Sequence, residues 1–251
     1  MESVQFVENN PLLFRQLFDA ESSTYTYLIA DRTTQEAILI DPVLERVERD
    51  LTLLSELGFT LQYCLETHIH ADHITGTGKL RSATGCLGIV PAQAHAACAD
   101  RQIQDGETLQ LGTVQVKAIA TPGHTDSHNA YLLTTTQPYR VFTGDALLIR
   151  GCGRTDFQSG DAGTLYDAVT QRLFTLPDDT LVYPGHDYRG QTVSTIGEEK
   201  RWNPRFTGHS RETFIDLMGE LNLPNPQKMM EAVPANEECG SVRAEVQSLG
   251  K

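Results

Sequence analysis

One short stretch of the chain carries four side chains that commonly bind metal ions. Residues 67–73 read THIHADH and contain His68, His70, Asp72 and His73. A helix would scatter these side chains around its axis, whereas a strand that runs into a loop can turn them toward one centre. Because further residues of the same types follow downstream, the stretch indicates a metal site rather than a polar loop that happens to be rich in histidine.

Three more candidate ligands stand where predicted strands end. They are His124 in TPGH, Asp145 in TGD and His186 in YPGH, and each lies next to a glycine that allows a sharp turn and close approach. Taken singly, each also fits a turn or a helix cap. Together with the first stretch they make seven imidazole or carboxylate ligands, which suit zinc, iron or manganese. Counting ligands predicts two metal ions.

The remaining histidines lack such surroundings. We expect His95, His128 and His209 to be surface or structural residues.

The elements that must position these side chains are strands in two groups with helices outside them. Alternating or continuous apolar runs predict strands, and apolar residues at helical spacing predict helices. The predicted strands cover 24–30, 37–41, 61–66, 113–120, 130–135, 140–143 and 180–183, and the predicted helices cover 43–57, 74–83, 165–174, 193–201 and 212–221. The pattern predicts a layered α and β protein, compatible with an αββα arrangement.

Length and composition limit the remaining classes. The 251 residues are 39% hydrophobic, which suits one globular domain. A net charge of −13 disfavours binding to nucleic acid or to an anionic membrane, so an anionic substrate must be met by a few local arginines. There is no apolar run of about 18 residues that would predict a membrane span.

Compartment and redox state are also predicted. The acidic start, residues 1–8, has neither a signal peptide's basic start and apolar run nor the Arg-rich look of a transit peptide, so we expect a cytoplasmic protein. Five cysteines without paired spacing are expected to be reduced thiols: Cys64, Cys86, Cys98, Cys152 and Cys239.

The order HxHxDH, Pro-Gly-His, Gly-Asp and Pro-Gly-His resembles the metallo-β-lactamase superfamily through about residue 186. Two branches compete within it: thioesterases similar to glyoxalase II, which use all seven ligands for two metals, and persulfide dioxygenases, which use one iron. Segments outside the ligands resemble the dioxygenases, and they are 144–158, 183–188, 192–195, 203–205, 221–226 and 233–236. The resemblance therefore runs from Phe18 to about Gly240.

Two features depart from some members of the dioxygenase family. Gly185 stands where some of them have alanine, and glycine there is more typical of the hydrolases. The segment between His124 and Asp145 is also longer than in some relatives, which we expect to lengthen a strand or turn without altering the ligands.

The resemblance implies an α+β, four-layer αββα sandwich of the metallo-β-lactamase type. It further implies a single domain over residues 1–251, with a C-terminal extension from about 190 packed against it. One Fe(II) per chain is expected on His68, His124 and Asp145, which are also the catalytic residues. The other four candidates, His70, Asp72, His73 and His186, would then orient ligands or substrate through hydrogen bonds. This disagrees with the ligand count, and the long flanking matches favour one metal.

The implied reaction is the oxidation of glutathione persulfide by O₂ to sulfite and glutathione, a step of sulfide oxidation. The expected substrate-binding residues are Arg154, Tyr166, Tyr188 and Arg205, because arginine grips carboxylates bidentately. Arg154 could instead pair with Asp156 or a buried carbonyl, and a core role for Tyr166 is almost as well supported. Cys152 is expected to be structural and not a nucleophile.

Two other functions stay open at this point. A binuclear zinc thioesterase similar to hydroxyacylglutathione hydrolase would use a metal-bound hydroxide, and a non-catalytic sulfur carrier or redox sensor would use Cys152. The resemblance leaves a homodimer open, and no exposed apolar stripe decides it. Because no rhodanese domain is visible, any sulfurtransferase partner is expected to be a separate chain.

Overall fold

The computed structural model describes residues 11–221, 223–224 and 228–240, and within them two six-stranded mixed sheets pack face to face. In the first sheet the strands follow one another in chain order, antiparallel from β1 to β3 and parallel from β3 to β6. They are β1 (Leu12–Asp19), β2 (Thr24–Asp31), β3 (Glu36–Ile40), β4 (Thr60–Leu65), β5 (Leu87–Pro91) and β6 (Arg101–Ile103).

The second sheet runs in the order β12-β11-β10-β9-β8-β7. Its strands pair antiparallel except for β10 and β11, which are parallel. They are β7 (Thr108–Leu111), β8 (Val114–Ala120), β9 (Asn129–Leu133), β10 (Arg140–Gly144), β11 (Leu181–Pro184) and β12 (Ser194–Thr195).

Helices cover the outer faces of both sheets. The described helices are α1 (Val47–Leu57), α2 (Thr77–Thr84), α3 (Ala162–Ala168), α4 (Ile196–Trp202), α5 (Arg211–Gly219) and α6 (Met229–Glu237). A 3-10 turn precedes α1, and a π-helical turn extends α3 to Leu173. Side chains of α1 and α2 pack on the first sheet, and those of α3 and α5 on the second. The predicted four-layer αββα sandwich is confirmed.

The core between the sheets explains why several strands read as continuous apolar runs. Tyr27 of the first sheet meets Phe142 of the second with ring centroids 4.9 Å apart, and both are fully buried. Strand β2 is buried along its whole length because α1 and α2 cover its other face. Strands buried on both faces lose the alternation of apolar and polar residues.

The expectation of five free thiols is wrong for two of them. Cys98 and Cys239 form a disulfide across 141 residues of sequence, while Cys64, Cys86 and Cys152 are free. The spacing of cysteines could not predict this pair, because it forms only when the end of α6 lies beside the loop that follows β5.

Some expectations fall on residues outside the described ranges. These are the character of residues 1–8 and, in the predicted C-terminal extension, positions 222, 225–227 and 241–251. Within the described ranges, no helix is long and apolar enough to cross a membrane.

Candidate metal centre

The predicted ligands stand at the ends of four strands, as their sequence positions require. The THIHADH stretch follows β4, His124 follows β8, Asp145 follows β10 and His186 follows β11. A backbone hydrogen bond from Asn129 N to Thr67 O joins the two sheets at this edge. The structure brings His68, His124 and Asp145 together, with one ligand atom from each lying within 4.8 Å of the others.

A chain of hydrogen bonds fixes the ring of His68. The Thr67 hydroxyl donates to Asp41 Oδ2 over 2.8 Å, so the same hydroxyl accepts from His68 Nδ1 over 2.9 Å. Asp41 Oδ1 also accepts from Thr67 N over 2.7 Å. The proton of His68 therefore sits on Nδ1, and Nε2 keeps its lone pair for a metal ion.

His124 is held in the same tautomer by a backbone carbonyl. Its Nδ1 donates to Arg154 O over 2.7 Å, and its Nε2 lies 3.6 Å from Asp145 Oδ2. The three residues thus offer two imidazole nitrogens and one carboxylate oxygen to one point. This donor set fits iron, zinc or manganese.

His186 lies between two carboxylates, and both of its ring nitrogens are used. Nδ1 bonds Asp145 Oδ1 over 2.7 Å, and Nε2 bonds Asp72 Oδ2 over 2.9 Å. The same Asp72 oxygen contacts His73 Nδ1 over 2.9 Å and accepts from the Thr24 hydroxyl over 3.1 Å. These residues form a hydrogen-bonded network behind Asp145.

His70 faces two buried carboxylates. Its Nε2 lies 3.2 Å from Asp41 Oδ1 and 3.5 Å from Glu66 Oε2. The other Glu66 oxygen accepts from the hydroxyls of Thr75 and Thr77. His70, Asp72 and His73 also form a group whose ligand atoms are close enough to hold an ion.

The charges in the site follow from burial and from these contacts. Burial, together with His70 and His124, holds the pKa of His68 well below its ordinary value, so it is neutral as a ligand must be. Burial alone would lower the pKa of His186, but Asp145 and Asp72 outweigh it and raise that pKa well above its ordinary value. Burial would likewise raise the pKa of Asp145, yet His186 lowers it, so Asp145 is a carboxylate.

Sequence reasoning missed the part that His128 plays at this site. His128 is buried, its Nε2 accepts from Asp145 N over 3.1 Å, and its ring lies 5.1 Å from that of His68. A Cβ on Gly144, which has φ +47°, would lie 2.6 Å from His128 Nε2, so glycine is required there. The only sequence signal was the proximity of His128 to His124.

Two of the four expected substrate-binding residues use their side chains in contacts within the protein. Arg154 donates to both oxygens of Asp156 and to Pro224 O, and its guanidinium lies 4.0 Å from the ring of Phe157. The Tyr166 hydroxyl donates to His209 O, and its ring packs within the helical layer over the second sheet. The groups expected to bind substrate are used within the protein at both positions.

The other two expected substrate-binding residues, Arg205 and Tyr188, have side-chain groups that remain available to a substrate. Arg205 is half-buried, and its guanidinium makes no hydrogen bond or ion pair to any residue in the described part of the chain. Tyr188 is 72% exposed, and its ring stacks on His186 with centroids 5.9 Å apart. Burial raises the pKa of Cys152 to about 12, so this residue is a thiol at neutral pH and not a nucleophile.

Comparisons with known proteins agree with this architecture. The profile of the metallo-beta-lactamase superfamily matches residues 20–186. Persulfide dioxygenase ETHE1, mitochondrial, from Homo sapiens is 52% identical over 231 residues, which are 92% of this chain and 89% of the human protein. The crystal structure of ETHE1 from Myxococcus xanthus is 56% identical with a TM-score of 0.88, covering 91% of this chain and 100% of that one. A hydroxyacylglutathione hydrolase from Rhodospirillum rubrum is 36% identical over 175 residues, or 69% of this chain and 66% of that enzyme.

Proposed function

The chain belongs to the metallo-beta-lactamase superfamily and, within it, to the ETHE1 persulfide dioxygenase family, and we propose that it oxidises glutathione persulfide with O₂ to sulfite and glutathione. The observation that carries the proposal is the convergence of His68, His124 and Asp145 with both imidazoles held through Nδ1. When bound by two histidines and one carboxylate, iron(II) supplies open coordination positions for oxygen chemistry.

We propose that the site holds one metal ion per chain. A second ion would need Asp72 and His186, but Asp72 Oδ2 is already bonded to three neighbours and both nitrogens of His186 lie on carboxylates. His70 Nε2 lies beside Asp41 and Glu66, although neither ring nitrogen of His70 makes a hydrogen bond within the described residues. The protein's own hydrogen bonds thus take up Asp72 Oδ2 and both nitrogens of His186, which a second metal ion would need.

In this proposal Arg205 binds a carboxylate of the glutathione portion of the substrate. A half-buried guanidinium without an anionic partner is costly to desolvate, and a bidentate carboxylate would satisfy it. The exposed ring of Tyr188 stacks on His186 and offers its hydroxyl to the same substrate. Arg154 acts through its backbone, because its carbonyl fixes His124.

A specific observation favours the binuclear thioesterase as the second candidate. His73 Nε2 is buried and has no hydrogen-bond partner among the described residues, and His70, Asp72 and His73 form a group that could hold an ion. The identity to hydroxyacylglutathione hydrolases is lower and covers less of the chain, so we prefer the dioxygenase.

The test is oxygen uptake by iron(II)-loaded protein on addition of glutathione persulfide, with sulfite measured in the same vessel. We expect uptake matched by sulfite and abolished in Asp145→Ala, and no change in His95→Ala, which alters an exposed histidine. One iron per chain by elemental analysis completes the expected result.

The contrary result is equally concrete. Two metals per chain, no oxygen uptake and hydrolysis of acyl-glutathione under anaerobic conditions would replace the proposal by the thioesterase.

A further inference from the structure

The side chain of Asn236 holds the loop that carries the histidine cluster. Asn236 lies on α6 and is 4% exposed. Its Oδ1 accepts from Thr75 N over 2.8 Å, and its Nδ2 donates to His70 O over 2.9 Å and to His73 O over 2.8 Å. Both amide protons and the carbonyl are used, so this one residue fixes the backbone between the cluster and α2.

The disulfide fastens the end of the same helix. Cys239 comes three residues after Asn236 and is bonded to Cys98 in the loop between β5 and β6. Its carbonyl also accepts from Gly78 N at the start of α2. The other contacts of α6 are noncovalent, and among them Ala232 and Ala235 pack on Ile74 of the loop. The disulfide is therefore the one covalent cross-link in the described chain between the end of α6 and the body of the protein.

A hollow of about 640 Å³ gives access to this disulfide. It is lined by both cysteines and by Lys79 and Arg81 of α2. Cys98 is partly exposed, whereas Cys239 is 5% exposed, so an incoming thiolate reaches the sulfur of Cys98 more readily. Access to one sulfur and the presence of a leaving thiolate are what thiol–disulfide exchange requires.

We propose that the Cys98–Cys239 disulfide is an exchange site for small thiols and that its opening weakens the hydrogen bonds from Asn236 to the loop of residues 70–75. A thiolate attacks Cys98 Sγ and forms a mixed disulfide while Cys239 leaves as the thiolate. A second thiolate attacks the mixed disulfide, which releases the oxidised small thiol and leaves both cysteines reduced. Two electrons pass from the small thiol to the protein disulfide, and no other reactant is needed.

The expected consequence is confined to one side of the site. His68 keeps its hydrogen bond to Thr67, whose amide and hydroxyl are held by Asp41. The segment from His70 to Thr75 instead depends on α6, so it opens more often when the helix end is free. The loop containing Asp72, which contacts His186, then becomes less ordered. This effect on the metal centre rests on the proposed function, but the exchange chemistry and the opening do not.

Hydrogen–deuterium exchange on metal-free protein tests the proposal directly. Oxidised and dithiothreitol-reduced samples are compared, and alkylation followed by mass spectrometry should count three free cysteines before reduction and five after. We expect the amides of Thr75 and Gly78 to exchange about tenfold or more faster after reduction, since they bond Asn236 and Cys239. Glutathione should reproduce the effect of dithiothreitol.

Matched variants separate the disulfide from general effects of the reductant. Cys98→Ser should show fast exchange at both amides without reductant and no further change with it. Cys64→Ser alters a buried cysteine outside the disulfide and should keep the full response. Asn236→Asp keeps the acceptor for Thr75 N but turns a carboxylate oxygen toward two carbonyls, so it should mimic reduction while the disulfide is closed.

Equal exchange in fully oxidised and fully reduced protein would overturn the proposal, as would five free cysteines after treatment with oxidised glutathione. Because these measurements use metal-free protein, they are independent of whether iron binds. Failure of the protein to bind iron would count against the proposed function alone.

Discussion

Replacing Asp41 by asparagine is expected to reverse the hydrogen-bond chain that prepares His68 for a metal ion. Asp41 accepts from Thr67 N at one oxygen and from the Thr67 hydroxyl at the other. An amide that keeps its oxygen at the first position places its NH₂ group at the second. The hydroxyl then accepts from the introduced NH₂ group and turns its own proton to His68 Nδ1, so the His68 proton moves to Nε2. In the opposite orientation the introduced NH₂ group faces Thr67 N–H, and because both are donors no hydrogen bond forms between them.

The size of the expected loss in metal affinity follows from the burial of Asp41 and Thr67. Asp41 is 1% exposed and Thr67 is fully buried, so water does not replace the lost bonds. Disturbing a group that orients a metal-binding histidine typically costs about 10–100-fold in metal affinity, or about 1.4–2.7 kcal/mol. We expect a loss in this range for iron(II) or zinc, measured by competition with a chromophoric chelator. Nitrogen-15 chemical shifts of metal-free protein report the tautomer of His68.

Two control variants at Thr67 make the result for Asp41→Asn interpretable. Thr67→Val removes the hydroxyl without reversing the chain, so its loss of affinity should be smaller, and Thr67→Ser should bind metal nearly as the parent does. Thermal unfolding confirms that each variant is folded. If folded Asp41→Asn keeps both the parent's metal affinity and the Nδ1-protonated tautomer, the hydrogen-bond chain does not control His68.

The remaining predictions concern substrate, metal and stability. Arg205→Ala should raise KM for glutathione persulfide about tenfold or more and leave kcat nearly unchanged, since a hydrogen bond to a charged group is worth about 1.5–3 kcal/mol; oxygen-uptake kinetics measure both, and an unchanged KM would remove Arg205 from the substrate site. Gly185→Ala would bring a Cβ within 2.7 Å of Asp145 Oδ1 and should lower metal affinity in the chelator assay, whereas equal affinity would mean that the carboxylate moves freely. Burial raises the pKa of Asp31, but hydrogen bonds from Thr113 outweigh it and hold the pKa at about 2. A carboxyl group whose pKa is lower in the folded than in the unfolded protein stabilises the fold at pH values above its unfolded-state pKa, which is near 4. Asp31→Asn should therefore lower the free energy of unfolding by about 2 kcal/mol at pH 7 and by little near pH 2. Urea unfolding at both pH values measures these losses, and equal losses would contradict this.

The strands that deliver the ligands could be predicted because their sequences are both apolar and sharply ended. Strands β4, β8, β10 and β11 were each expected within about two residues, and each runs into the histidine or glycine motif that marks a ligand. The helix predicted over 43–57 ends at Leu57 as expected, because Gly58 takes a left-handed φ of 73°. Apolar runs and the motifs that end them thus predicted these four strands, and the assignment of metal ligands stays a prediction.

Other elements carry no comparable signal. Strand β6 has three residues, of which two are exposed, and α6 contains Pro234 and has no side-chain cap. Asn236 and His128 act through contacts with residues distant in sequence or through the backbone. When the partners of a residue are brought together only by the packed fold, its role leaves no mark in the sequence, which is why the roles of both were missed.

The number of metal ions shows most clearly where residue types stop being informative. Seven ligands in superfamily order predict two ions, and nothing in their identities or spacing argues against the second. The argument against it lies in hydrogen bonds: His186 spans Asp72 and Asp145, and Asp72 Oδ2 also bonds Thr24 and His73. A carboxylate oxygen that already bonds three partners must release them before it can bind a cation, and each release leaves a buried polar atom to be satisfied. Retention of the seven residues is therefore compatible with the proposal of one metal ion, in which Asp72 and His186 would orient Asp145 through hydrogen bonds.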